Sequence, residues 1–360
     1  MIGRILYILP AAGYTGGANS VVQEAAGLLR MGLDVSIAVD RRNHAEFAGA
    51  YAGLPAVTAA PVLATYDDPA GLAGLLATSK VAICTVATSV PAVIGAWEHL
   101  PEADRPRLFY YIQDYEPLFF DPGTEDWTAA CRSYEFGGIL QGMAKTDWLR
   151  DTVEARHSIR VSRVKASIDH GVYFPYLAAR GGDQLVLAAM LRPHTPRRAP
   201  RRTCRLLNRL AAELGSRVRL VVFGCGPEEM REHGLMLDPA IERHGRIIRE
   251  QVARILRRTD LFLDLSDYQA FGRTGLEAMA CGAAALLPVH GGAGEYVVHG
   301  ENGYLADTRD EDGLFHTVEA YAAQAPSTRR AMAVAAMATA ADYNVEKACI
   351  SVLGVLLGTR

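Results

Sequence analysis

Residues 261–307 read LFLDLSDYQAFGRTGLEAMACGAAALLPVHGGAGEYVVHGENGYLAD, and few folds accommodate such a run. The apolar segment Leu261–Leu265 suits a buried strand and breaks into a loop of small and polar residues from Ser266 to Gly272. The spacing predicts a helix from Arg273–Thr274 that carries Glu277 inside its first two turns, and Ala283–Pro288 reads as the next buried strand. Gly291, Gly292, Gly294, Gly300 and Gly303 punctuate the remainder. Strand, glycine loop, helix and strand form the repeating unit of a parallel α/β sheet. The helix start favours anions, because its free N–H groups and its dipole point at whatever lies there. One acid within the same helix suits a sugar hydroxyl better than a phosphate, so the outline is that of a nucleotide-sugar pocket.

The same grammar runs through the rest of the chain. Ile5–Leu9 is a short apolar run, followed by PAAGYTGGANS and a helix with Val21, Val22, Ala25, Leu28 and Leu29 on one face. Further strands are expected at Val35–Val39, Val81–Val86, Leu108–Ile112, Gly138–Gly142 and Val161–Ala166, with helices between them. From Asp169 to Asp183 the periodicity lapses into Pro and Gly, as at a hinge between domains. It restarts with strands at Leu185–Leu191 and Val218–Phe223 and helices near Arg201–Leu214 and Arg249–Arg257. The expectation is α/β: two Rossmann-like domains facing across a cleft, spanning 1–175 and 184–342. A last helix in 343–360 places Val345, Ala348, Val352 and Val355 on one stripe.

Composition narrows the function. At 360 residues, half of them apolar, the chain can build two cores. A net charge of −3 gives no general attraction to nucleic acid. Six scattered cysteines, without a CxxC or a neighbouring histidine pair, lack metal-ligand spacing and read as thiols in a reducing cytoplasm. No metal and no cofactor are therefore expected, and no apolar run has transmembrane length. The IGRILYILPAA start imitates a signal peptide but flows into a glycine loop and an amphipathic helix, so it reads as a strand.

FGRTGLEAMACG (271–282), followed by GGAGEYVVHGENGYLAD, resembles the donor-binding core of the family-four retaining glycosyltransferases, whose fold is termed GT-B. The family pattern has two glutamates separated by seven residues; here the second is Glu277 and the first position holds Gln269. QDYEPLFF (113–120) is similar to a subgroup that includes bacterial rhamnosyltransferases of surface polysaccharide assembly. The resemblance implies a metal-independent hexosyltransferase that moves a sugar from a nucleoside-diphosphate sugar to a hydroxyl of a glycan, lipid-linked or natural-product acceptor. It implies donor binding by the C-terminal domain, acceptor binding by the N-terminal one, and a last helix crossing back onto the first domain. The matching setting is the cytoplasm, with peripheral contact at the inner membrane face.

Individual residues carry two readings each. Gly16 and Gly17 form either an ordinary tight turn or a phosphate-binding loop, and the resemblance favours the latter. Arg192 follows a buried strand, where an arginine can hold a diphosphate through paired hydrogen bonds, and Arg197 or Arg198 supplies a second cation. Arg201, Arg202 and Arg205 read as a solvated basic face. Glu277 is either a surface ion-pair member or, as the resemblance implies, an acceptor of ribose hydroxyls. Gln269, Phe271, Gly272, Arg273 and Thr274 complete the implied donor site, with Gln269 near the transferred sugar. VVFGCGPEE (221–229) and HGRII (244–248) read as turn-shaping segments, the latter with backbone contacts to the base. Gln113-Asp114 stands where many members have His-Asp; Asp114 takes the acceptor hydroxyl proton, orients the sugar or caps the following loop. The candidate catalytic set is thus Asp114, Gln113, Gln269 and Arg192. Leu118, Phe119 and Phe120 read as an aromatic core under a loop ahead of a lipid or acceptor contact.

Two other classes fit paired Rossmann domains. A sugar-nucleotide epimerase or nicotinamide oxidoreductase would use Asp40 at the end of the second strand, but TGGAN is not GxGxxG. A non-catalytic sugar-nucleotide-binding protein is the reading suggested by Gln269 and Gln113 together.

Overall fold

The computed structural model describes residues 2–10, 16–176 and 184–359. The chain forms two compact units, Met1–Ser167 with Asn344–Arg360, and Ile168–Tyr343. Residues Ala11–Thr15 of the first glycine loop and 177–183 of the expected hinge lie outside the described residues.

Among the described residues the first unit holds seven strands: β1 (Ile5–Ile8), β2 (Val35–Asp40), β3 (Leu63–Tyr66), β4 (Val81–Cys84), β5 (Arg107–Ile112), β6 (Leu140–Ala144) and β7 (Val161–Arg163). They pair in the order β3-β2-β1-β4-β5-β6-β7, every ladder parallel. The strand order reverses between β1 and β4, which opens a crevice position at the carboxyl ends of those strands. The Gly16–Arg30 helix follows β1 and buries Val21, Val22, Ala25 and Leu28 against the sheet. Each such side chain contributes roughly 1.5–3 kcal/mol when fully buried.

The Val345–Leu356 helix belongs to this unit, and Cys349, Val352, Val355 and Leu356 enter the same core. Its approach depends on Gly27. A β-carbon there would stand 2.6 Å from Cys349 Sγ and 2.7 Å from Val345 Cγ1, so any larger residue would force the two helices apart. Ser351 Oγ accepts the Lys165 N–H at 2.6 Å, which fixes the chain just after β7.

The second unit holds β8 (Leu185–Met190), β9 (Val218–Phe223), β10 (Glu242–Arg243), β11 (Leu261–Leu263), β12 (Ala284–Pro288) and β13 (Tyr304–Ala306). Their order is β10-β9-β8-β11-β12-β13, again parallel, with the reversal between β8 and β11. Alternation along a strand divides the side chains between two cores. Leu187, Ala189, Leu261 and Leu263 pack with the Pro200–Leu214 helix, whereas Ala188, Phe262, Ala285 and Leu287 pack with the Arg249–Leu256 and Arg273–Ala280 helices.

The change of unit falls at Ser167–Ile168, ahead of the position near 175 expected from the lapse of periodicity. Ile168 and Tyr173 are buried in the second unit's core, the Ile168 N–H donates to Tyr343 O at 3.0 Å, and Asp169 pairs with Arg249 at 2.9 Å. Packing of a few anchors, invisible in local composition, sets the boundary.

Candidate functional site

In the second unit the loop after β11 turns at the carboxyl edge of the sheet, where the strand order reverses. Its first residue, Asp264, has a side chain only 10% exposed. Ser266 donates its backbone N–H to Asp264 Oδ1 at 3.1 Å, and its hydroxyl donates to the same oxygen. Gln269 is buried and donates Nε2–H to Asp264 Oδ2 at 2.5 Å. The assignment of that amide follows from chemistry, since an ionised carboxylate only accepts. Arg198 NH1 stands 3.7 Å from Asp264 Oδ2. The Gln269 amide nitrogen therefore faces Asp264 and helps to hold this carboxylate.

Gln269 is also fixed through its backbone. Its N–H donates to His290 O at 3.2 Å and its carbonyl accepts from Gly292 N–H at 2.9 Å. Gly291 lies against it at φ +113°, and a β-carbon there would sit 1.9 Å from Gln269 O. Only glycine permits that approach.

The helix Arg273–Ala280 begins from Gly272, whose φ of +83° is a left-handed conformation. Tyr296 donates its hydroxyl hydrogen to Gly272 O at 2.7 Å. Phe271, expected at the ligand, packs in an aromatic triangle with Tyr296 at 5.4 Å and Tyr343 at 5.9 Å between ring centres. Arg273 Nε donates to Glu277 Oε1 at 2.8 Å, an i,i+4 pair in which both side chains are largely buried. Burial raises the Glu277 carboxyl above its ordinary range, against the pull of Arg273 and a hydrogen bond from Tyr173. The two residues thus form a single unit.

The Pro196–Arg198 turn and the helix behind it bring the arginines. Arg192, Arg198, Met190, Asp264, Ser266 and Thr274 line one small recess at the ends of β8 and β11. Arg192 is exposed, with Nε 3.1 Å from Met190 Sδ. Arg197 instead lies over the Tyr268 ring at 5.1 Å, so Arg198 is the member of that pair at the recess. Arg202, expected on a solvated face, is mostly buried and donates to Leu265 O and Asp267 Oδ1, each at 2.9 Å. It clamps the loop that carries Asp264. Arg205 pairs with Glu311 on the surface, as a solvated residue does.

Beyond Arg192, Gly224 adopts φ +108° and donates its N–H to Gly245 O at 2.7 Å, which ties the 221–229 turn to the 244–248 segment. Glu229 accepts from Gly226 N–H at 2.9 Å, from Arg246, and pairs with His194 at 3.1 Å. The Arg246 guanidinium holds its carboxyl down at about 2.

In the first unit, Gly17 lies in the first turn of its helix against Gln113: a β-carbon on Gly17 would stand 3.0 Å from the Gln113 amide. Gln113 donates to Thr85 O at 3.3 Å. Asp114 Oδ1 accepts the N–H of Tyr115 at 2.9 Å, the loop-capping contact. Two residues on, Glu116 accepts the Ala87 N–H at 2.8 Å from the loop after β4. Leu118, Phe119 and Phe120 are exposed by 47%, 42% and 38%, which corrects their reading as an aromatic core under the loop.

Asp264 and Glu116 were not singled out from the sequence, and Arg202 was read there only as a solvated residue. An acid directly after a buried apolar run, as in LFLDLS, was the available signal for Asp264. The arginine clamp has no local signal, because its partners lie about 65 residues further along the chain.

Two parallel α/β sheets with these strand orders define the GT-B type of glycosyltransferase fold. Residues 193–337, most of the second unit, match the family described as Glycosyl transferases group 1. The chain is 37% identical over 98 residues to the N-acetyl-alpha-D-glucosaminyl L-malate synthase of Bacillus anthracis, covering 27% of this chain and 26% of that protein. It is 28% identical over 254 residues to the O-antigen biosynthesis protein RfbC of Myxococcus xanthus, covering 70% of this chain and 18% of that protein. The chain therefore spans about a quarter or less of the length of these curated relatives. Among solved structures, HepE of Anabaena in complex with UDP and glucose superposes with a TM-score of 0.78 at 15% identity, over 99% of this chain and all of that one. Among the described residues no helix is long and apolar enough to cross a membrane.

Proposed function

We propose that the chain is a glycosyltransferase that uses a nucleoside-diphosphate sugar. The observation that carries the reading is the recess in the second unit. There Arg192, Arg198 and the opening of the Arg273–Ala280 helix offer positive charge, and Thr274 offers a hydroxyl. Beside them Glu277 is held by Arg273 within the same helix. Such a set suits a diphosphate with a ribose beside it. The naming of UDP and glucose in the HepE structure, and the O-antigen role of the RfbC relative, support a nucleotide-sugar donor and a glycan acceptor.

In this reading the second unit holds the donor and the first the acceptor. Charge building on the departing diphosphate is stabilised by Arg192, Arg198 and the helix N–H groups. The sugar becomes oxocarbenium-like as its bond to the phosphate oxygen breaks, and the acceptor oxygen forms the new bond while its proton passes to an oxygen of the departing diphosphate. Membership of family four, retention of configuration, independence of metal and cofactor, rhamnosyl transfer, a lipid-linked acceptor and peripheral membrane contact from the cytoplasm belong to the same proposal and rest on the sequence resemblance. Asp264 is the acid that lines the recess, with Gln269 holding it. Gly16, Gly17, Gln113 and Asp114 form the carboxyl edge of the first sheet.

A thermal-shift panel with UDP, GDP, dTDP, ADP and NAD tests the reading. A nucleotide present at about 100 times its Kd stabilises by about 2.7 kcal/mol. Stabilisation by one nucleoside diphosphate, reduced in Glu277→Gln, is the expected result. Stabilisation by NAD alone would favour an oxidoreductase and overturn the proposal.

A further inference from the structure

The loop after β5 carries, within QDYEPLFF, a carboxylate that has been given no role and that the donor site does not employ. Glu116 opens a short turn, Glu116–Phe119, at the carboxyl edge of the first sheet, one strand from the reversal of strand order. Its Oε1 is anchored from two elements: it accepts the Ala87 N–H at 2.8 Å, and the Tyr110 hydroxyl of β5 lies 3.4 Å away. Oε2 takes no hydrogen bond from the described residues. One oxygen is fixed, and the other is free to accept a hydrogen bond from an O–H group at the sheet's edge. The side chain is half-buried and Oε2 is not sealed from solvent, so a ligand O–H can reach the oxygen that the fold leaves unused.

The surroundings decide what kind of group this is. The ionisable neighbours that act on Glu116 are Asp114 on its own loop, Tyr110 on β5 and Tyr134 beyond the Glu125–Arg132 helix; none is a cation. A phosphate or carboxylate brought here would meet like charge without a counter-ion. A neutral hydroxyl would meet an acceptor with lone pairs to spare.

We infer that Glu116 binds and orients the hydroxyl of an uncharged, polyhydroxylated acceptor, an inference that rests on the glycosyltransferase reading above. In its ionised form Glu116 accepts the acceptor's O–H hydrogen bond and turns that oxygen lone pair outward. Once protonated it carries an O–H donor of its own and accepts only weakly through the remaining oxygen. Burial, reinforced by Asp114, pushes its carboxyl up to about 7. Acceptor use should therefore fall as the pH drops through that value, while nucleotide binding by the second unit should not.

The test is a steady-state transfer assay with the nucleotide sugar chosen by the thermal-shift panel and methyl glycosides as acceptors. It compares wild type, Glu116→Gln and Tyr110→Phe from pH ~5.5 to ~8.5. For wild type, acceptor kcat/KM should fall about tenfold per pH unit below the transition. Glu116→Gln should abolish that limb and raise acceptor KM about tenfold or more. Its nucleotide Kd and Tm should stay at wild-type values. Tyr110→Phe, which removes one anchor of Oε1, should keep the limb but shift it. The inference is overturned if Glu116→Gln keeps both the limb and the acceptor KM while wild type turns over donor. It is equally overturned if phosphorylated glycosides are preferred over neutral ones. A wild type that neither binds nor consumes nucleotide sugar would sink the glycosyltransferase reading itself, and this inference with it.

Discussion

Gln269→Glu installs the acid that the resembled family pattern has at this position, and a motif-based argument would expect a more active protein. The geometry argues the opposite. Gln269 Nε2 lies 2.5 Å from Asp264 Oδ2, in a spot where Gln269 is 4% exposed. Replacing that N–H donor by oxygen sets two carboxylates in contact. At an effective dielectric of ~20, two unit charges ~3 Å apart repel by roughly 5 kcal/mol. The lost hydrogen bond to a charged group adds about 1.5–3 kcal/mol. Arg198, 3.7 Å from the same oxygen and only one-third exposed, offsets part of this. A net loss of about 4 kcal/mol corresponds to a Tm drop on the order of 10 °C for a unit of this size.

The sign with pH follows from linkage. The new carboxyl has a folded pKa above its unfolded value, so the penalty is absent below about pH 4.5 and grows until the pH passes the raised value. Urea unfolding of Gln269→Glu at several pH values, with Asp264→Asn/Gln269→Glu as the rescue, measures it. Wild-type stability for the single variant at pH 8, or a penalty that does not change with pH, would refute the reasoning.

Two further outcomes are expected from the same loop. Gly291→Ala should destabilise by about 3 kcal/mol or more, from positive φ and from a β-carbon 1.9 Å from Gln269 O. Gly294→Ala, whose β-carbon would have its nearest neighbour at 3.7 Å, should change little, so denaturant midpoints of the pair separate close approach from a general glycine effect. Arg202→Met should cost about 2–3 kcal/mol through the lost bonds to Leu265 O and Asp267. It should also weaken nucleoside-diphosphate binding in calorimetry, whereas Arg201→Met should leave both unchanged.

The interior strands were legible because a parallel strand buried on both faces is a continuous apolar run. VVF of β9 and LFL of β11 carry that signal in three or four letters. β3 was not, since it is an edge strand in which only Leu63 is buried. The helices Glu311–Ala323 and Pro326–Ala341 also escaped: alanine forms helix well but draws no sharp stripe when it occupies both faces. At the site, residue identity was legible and residue orientation was not. Arg273 and Glu277 were both named, yet their pairing through i,i+4 spacing appears only once the helix exists. The reading of Arg202 as solvated failed because a charge run says nothing about which member turns inward. Phe119 and Phe120 failed likewise, because a short 3-10 turn imposes neither helical nor strand periodicity.

Three acids illustrate why environment, more than identity, assigns chemistry here. Glu277 is neutralised by a cation on its own helix, so the pair can meet ribose hydroxyls without a free charge entering the core. Asp264 meets its cation, Arg198, at 3.7 Å from another element and not on its own helix. It is held by the hydroxyl of Ser266, the amide of Gln269 and that arginine, an arrangement that fixes it beside Arg192 and Arg198. Glu116 has no cation among the groups acting on it; one N–H and a distant hydroxyl leave its proton to be decided near neutral pH. If the donor carries two negative charges on its diphosphate, the acids beside it must be paired or tethered, and these are. An acid that titrates near 7 is tolerable only where the ligand is neutral. The distribution of counter-ions thus accords, independently of any motif, with the proposed diphosphate in the second unit and the proposed uncharged hydroxyl partner in the first.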